Sequence, residues 1–94
     1  MSTQSIYRPA PDVRHAVEAT SIRLLDRKTG AVHLLAYPEA AVWDMAARGY
    51  EMNGIVDSLR HIACVPATVA EKMVVDLFKL LHERGFVTRV QADD

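Results

Sequence analysis

The stretch that decides the fold is residues 24–45, LLDRKTGAVHLLAYPEAAVWDM. An apolar segment, Leu24-Leu25, runs into Asp26-Arg27-Lys28-Thr29-Gly30. That pentapeptide has turn chemistry, because an Asp carboxylate accepts from nearby backbone N–H groups and glycine tolerates positive φ. The chain returns through AVHLLA, residues 31–36, and enters a helix at Pro38-Glu39. Proline suits a first helical position, where its missing N–H costs nothing. Glu39 complements the positive end of the helix dipole. Residues 31–38 hold no Lys, Arg, Asp or Glu. The returning strand is therefore bare of the charges that usually guard a sheet edge.

Outward from this block the chain reads as one α+β domain. Residues 1–12 carry Pro9 and Pro11 without periodicity and read as a flexible N-terminal arm. Val13 to Ala19 alternates weakly as a first strand, and Ser21 to Leu25 (SIRLL) forms a better second one. Ala31 to Ala36 is the third. A first helix spans Pro38 to Arg48 and stops at Gly49, with Val42, Met45 and Ala46 inward and Trp43 on the flank. The second runs from about Glu51 to Ala63 on Met52, Ile55, Val56, Leu59 and Ile62, with Asn53-Gly54 as a weak spot at its start.

Pro66 to Arg84 forms the third and longest helix, ended by Gly85. Its apolar face is Val69, Ala70, Met73, Val74, Leu77, Leu80 and Leu81. Val75 falls amid the polar face and Phe78 at its border, so both are candidates for contact with a partner. Phe86 to Val90 alternates as a last short strand, and residues 91–94 are a tail. The expected architecture is a small winged-helix-like domain over residues 13–90. It has an N-terminal three-stranded β-meander followed by three helices, the third laid across the hairpin.

Composition narrows the function. With 94 residues, half of them hydrophobic, there is one modest core. The single cysteine, Cys64, excludes an internal disulfide framework and suits a reducing compartment. No apolar run approaches the ~18 residues of a membrane helix, and MSTQS is no signal peptide, so a cytoplasmic location is expected. Eleven basic against twelve acidic side chains argue against phosphate-backbone binding.

Catalytic signatures are absent. None of His15, His33, His61 and His82 sits in a nucleophile motif, and the glycines form neither GxGxxG nor a P-loop. His61 and Cys64 supply two ligands where zinc takes four, so they read as a helix-end histidine and a buried thiol. Trp43 reads as core rather than as a stacking platform. No catalytic residue, metal or cofactor is expected.

The bare third strand is the sharpest feature. The first strand, at the other edge of the meander, carries Arg14 and Glu18, whereas the third carries only His33. Such an edge either receives an incoming strand or is covered by the chain's own Phe86–Val90 or N-terminal arm. The residues alone leave the two readings equal.

Leu24-Leu25-Asp26, Thr29-Gly30, Leu34-Leu35 and Pro38-Glu39-Ala40-Ala41-Val42-Trp43 together resemble PqqD-type proteins. So do Ile55 and Leu59, Leu77 and Leu81, and Gly85-Phe86-Val87. These are the peptide chaperones of pyrroloquinoline quinone biosynthesis and the related RiPP recognition elements. The resemblance covers about residues 9–90. It departs at Tyr37, where many members have Asn before the proline, and at Glu51 and Asn53-Gly54, where a Thr-like cap and Glu are common.

The resemblance implies a non-catalytic peptide-binding adaptor with a winged-helix-like fold. The leader of a ribosomally made precursor peptide would add as a strand beside the third strand, against the third helix. The adaptor would then present it to a modifying enzyme, often of the radical SAM type. Carried onto this chain, the peptide-binding residues are Ala31, Val32, His33, Leu34, Leu35 and Ala36 on the strand. On the helix they are Lys72, Val75, Asp76 and Lys79. The alternatives are a nucleic-acid-binding winged helix, using Lys72, Lys79 and Arg84 with Arg27 and Lys28, and a homodimer formed through the exposed strand.

Overall fold

In the computed structural model the described residues are 5–91. Five strands and three helices follow in the order β1 (Ser5–Pro9), β2 (Val13–Glu18), β3 (Ser21–Asp26), β4 (Val32–Ala36), α1 (Glu39–Ala47), α2 (Met52–Ala63), α3 (Ala67–Glu83) and β5 (Val87–Gln91). Strands β2, β3 and β4 form an antiparallel meander, and β1 pairs with β5 in a separate two-stranded sheet. The expected α+β meander with three helices is present, with the second sheet added to it.

The β3–β4 turn forms as its residues dictate. Asp26 Oδ1 accepts from the Lys28 backbone N–H at 2.9 Å, and Gly30 takes φ +79°. Asp26 is the one buried charged residue among those described, held there by this turn. Inward residues of β3 (Ile22, Leu24) and β4 (Leu35) meet Trp43, Val42 and Ala46 from α1, and Ile55 and Leu59 from α2. Ala70, Val74, Leu77, Phe78 and Leu81 from α3 close this core.

Three readings need correction. Residues 5–9, placed in a mobile arm, are strand β1; residues 1–4 lie outside the described residues, as do 92–94 of the tail. Trp43 is not on a flank but fully buried, edge-on to His15 at 6.1 Å. A nine-residue helix under a sheet turns more of its circumference inward than a three-residue stripe suggests. Phe78 is likewise buried, because Tyr7 of β1 stacks on it with ring centroids 4.7 Å apart. It touches the chain's own N-terminal strand.

The end of α3 decides where β5 goes. Gly85 takes φ +81°, Gly85 N donates to His82 O at 3.1 Å, and Phe86 N donates to Leu81 O at 2.9 Å. This is a Schellman closure, which needs a left-handed residue at that position. It drops Phe86 into the core and sends Val87–Gln91 alongside β1.

Candidate functional site

With β5 committed to β1, neither terminal strand covers the meander. Strand order β2-β3-β4 leaves β4 as an open edge. The direction of its backbone groups follows from one bond. Asp26 N donates to Ala31 O at 2.9 Å, so the Ala31 carbonyl faces β3. Successive residues in a strand point opposite ways. His33 and Leu35, paired in register with Leu24 and Ile22, therefore bond β3. Val32, Leu34 and Ala36 turn their N–H and C=O groups to the free edge.

The side chains of this edge divide by face. Leu35 and half-buried His33 face the core, while Val32 and Leu34 stand 59% and 57% exposed on the outer face. Their register partners on that face are Leu25 and Arg23. Leu25 is itself 40% exposed, so the outer face carries a small apolar patch against β4.

Two hydrogen bonds tie β4 and the residue after it to the helical part of the chain. At one end Arg84, the C-cap of α3, reaches β4: its Nη1 donates to His33 Nδ1 at 3.4 Å, with the His33 ring 5.9 Å from that of Phe86. At the other end Tyr37, just past β4, donates from its hydroxyl to Ile62 O at 3.4 Å, in the last turn of α2.

Arg84 also tells which flank of α3 is turned toward the β4 edge. At about 100° per residue, Leu80, Met73 and Val69 lie within about 60° of Arg84 around the helix axis, and Val75 lies about 180° away. Thr68, Val69, Lys72, Met73 and Asp76 line a shallow depression of about 480 Å³. Val75 instead lines a separate hollow of about 300 Å³ with Met52, Val56 and Arg60 of α2.

Of the ten residues expected to bind peptide, Val32 to Ala36 form β4 itself, and Ala31 ends the turn before it. Lys72 and Asp76, tied to each other at 3.0 Å, line the α3 depression about 120° and 80° round from Arg84. Lys79 is exposed about 140° round from Arg84. Val75 sits on the α2 side, apart from the others. Val69, Met73, Leu80 and Arg84 were not singled out as binding residues. Periodicity put the first three in the apolar core face, yet Val69 is exposed and Met73 and Leu80 only half-buried.

The opposite edge differs. A hollow of about 450 Å³, lined by Val17, Tyr37, Ala41, Asp44 and Arg48, lies where the β2–β3 turn meets α1. But β2 carries Arg14 and Glu18, and Arg23 pairs with Glu18 at 3.3 Å across the strands. Charges of this kind discourage strand pairing.

The remaining candidates do not gather into a site. His61 Nδ1 lies 2.9 Å from Asp57 O, and Cys64 Sγ lies 3.7 Å from His61 O. Cys64 is exposed, contrary to the buried thiol expected, because it caps α2 in a left-handed conformation at the surface. Among the described residues no three His, Cys, Asp or Glu side chains group as a metal site. No helix there is long and apolar enough to cross a membrane.

No protein-family model matches the chain, and no curated protein matches it. Two solved structures do. One is TbiB1 in complex with the TbiA(beta) leader peptide, at TM-score 0.82 and 20% identity, covering 85% of this chain and 93% of that one. The other is lasso peptide synthetase B1 complexed with the leader peptide, at TM-score 0.81 and 23% identity, covering 87% of this chain and 96% of that one. The chain shares its fold, over nearly its whole described length, with two proteins solved with leader peptides.

Proposed function

We propose that this chain is a non-catalytic adaptor that binds the leader of a ribosomally made precursor peptide and presents it to a modifying enzyme. The leader adds as a strand to β4, on the side of the α3 flank that carries Val69, Met73, Leu80 and Arg84. The observation that carries this reading is the uncharged, uncovered edge of β4, with three outward N–H and C=O pairs at Val32, Leu34 and Ala36. Main-chain bonds along such an edge supply affinity, and pockets for alternate side chains supply selectivity. The leader peptides held by both structural neighbours support it.

Presentation of the bound peptide follows from its geometry. Alternate side chains of an added strand point outward, beside Val32 and Leu34, where an enzyme can reach them. A radical SAM enzyme is the modifying partner the PqqD-type resemblance implies. A nucleic-acid role draws less support, since Lys72 is occupied by Asp76 and the chain carries net charge -1.

The test is to pan a random 12-residue peptide display library over the immobilised chain and titrate a selected peptide by calorimetry. One-to-one binding that Leu34→Pro abolishes is expected. Failure to select any peptide, or selected peptides indifferent to β4 substitutions, overturns the reading. Light scattering on the free chain at rising concentration tests the homodimer, which would compete for the same edge.

A further inference from the structure

Arg84 holds a charge with no ion-pair partner among the described residues. Its hydrogen bond goes to Nδ1 of His33, a group that carries no negative charge, and the ion pairs among the described residues are Arg23–Glu18, Arg48–Asp44 and Lys72–Asp76. A guanidinium has five N–H donors in a planar fork suited to a carboxylate, so most of its donor capacity is open here. Of the other charges on α3, Lys72 and Asp76 pair with each other, while Glu83 and Lys79 lie about 100° and 140° round the helix from Arg84, so Arg84 is the charge tied to His33.

The position of Arg84 matters as much as its charge. Because His33 bonds β3, the residue of an added strand opposite it forms a non-hydrogen-bonded pair. Those pairs bring Cα atoms to about 4.5 Å and their side chains close together. The side chain opposite His33 therefore projects onto the inner face, where Arg84 already touches the His33 ring.

We propose that Arg84 is a specificity-determining residue that selects an Asp or Glu side chain at the peptide position opposite His33. This rests on the strand-addition reading above and names the class of peptide it takes: acidic at one position, apolar further along the same face. The spacing follows from α3. Val69 and Met73 precede Arg84 by 15 and 11 residues, which at 1.5 Å per residue is about 16–22 Å. An extended peptide rises about 3.4 Å per residue, so it covers that distance in about five to seven residues. Side chains on one face recur every second residue, which leaves about six between the carboxylate and the apolar anchor.

The test compares peptides selected from the same random display library on the wild-type chain and on Arg84→Glu. The peptides are fused through their C-termini, so that only side-chain carboxylates are on offer. The wild-type set should be enriched in Asp or Glu at one position, with an apolar residue about six away. The Arg84→Glu set should carry Lys or Arg there instead. In calorimetry, replacing the selected acid by Arg should weaken binding to wild type by about ten- to a hundredfold, the usual range for a charged hydrogen bond. Arg84→Glu should restore it. Arg84→Gln, with an unchanged thermal midpoint, should bind acidic and neutral peptides equally. Identical consensus sequences on both proteins, or selected peptides without a charge preference, overturn the role of Arg84 and leave strand addition standing. An empty selection removes strand addition and this inference with it.

Discussion

Leu34→Pro separates peptide binding from folding, and the backbone says why. Leu34 points its N–H to the open edge, since the Asp26 N to Ala31 O bond sets the alternation along β4. Proline there removes no bond of the β3–β4 ladder. Edge strands accept proline on their free side, and the φ restriction should cost the fold only about 1 kcal/mol. Binding loses far more. One main-chain bond worth about 1 kcal/mol disappears, and a peptide carbonyl is left unpaired against the ring at about 1–3 kcal/mol. The sum, about 2–4 kcal/mol, is roughly a thirty- to thousandfold loss of affinity. His33→Pro is the opposite control. It removes a donor that faces Leu24 within the sheet, so it should cost stability by about 2–4 kcal/mol. The assay is calorimetry with a display-selected peptide, alongside thermal unfolding of each variant. A folded Leu34→Pro that binds like wild type refutes the reasoning. So does an equal loss of stability in the two proline variants.

Other substitutions probe the scaffold. Phe78→Ala should cost about 3–5 kcal/mol and loosen β1 as well, because Tyr7 loses its stacking partner; thermal unfolding and fluorescence of the tyrosines check both. Gly85→Ala meets no atom within 4 Å of the added Cβ, so its loss should be the left-handed backbone cost alone, about 1–2 kcal/mol by denaturant titration. Lys72→Ala removes an exposed i,i+4 pair and should move stability by no more than about 0.5 kcal/mol. A 20-base-pair duplex of random sequence should show no binding at physiological salt by fluorescence anisotropy, given the near-balanced charge.

Much of this fold is legible locally. Asp26 with Gly30 marks the hairpin, Pro38 the entry to α1, and Gly49 and Gly85 the helix ends; each helix boundary falls within a residue or so of its signal. What is not legible depends on distant partners. Ser5–Pro9 lacks a strand pattern because it has only five residues and one of them is proline, and its pairing partner lies some 80 residues away. Phe78 reads as a border residue until Tyr7 is known to cover it. The bare edge of β4 is visible in the sequence. Whether it is free is not, since that turns on β5 choosing β1. The flank of α3 nearest β4 is hidden for the same reason. Periodicity assigns Val69, Met73 and Leu80 to an apolar face, but only the approach of Arg84 to His33 shows which part of that face borders an open edge.

Strand addition at β4 is tested most directly by residue-resolved amide hydrogen exchange, measured by NMR with and without a selected peptide. In the free chain the His33 and Leu35 amides should be protected by β3, while those of Val32, Leu34 and Ala36 exchange fast. Saturating peptide should protect Val32, Leu34 and Ala36 together and leave His15 and Val17, on the outer edge of β2, unchanged. Protection that appears on β2, or binding that leaves the three β4 amides as fast as before, contradicts an added strand at β4.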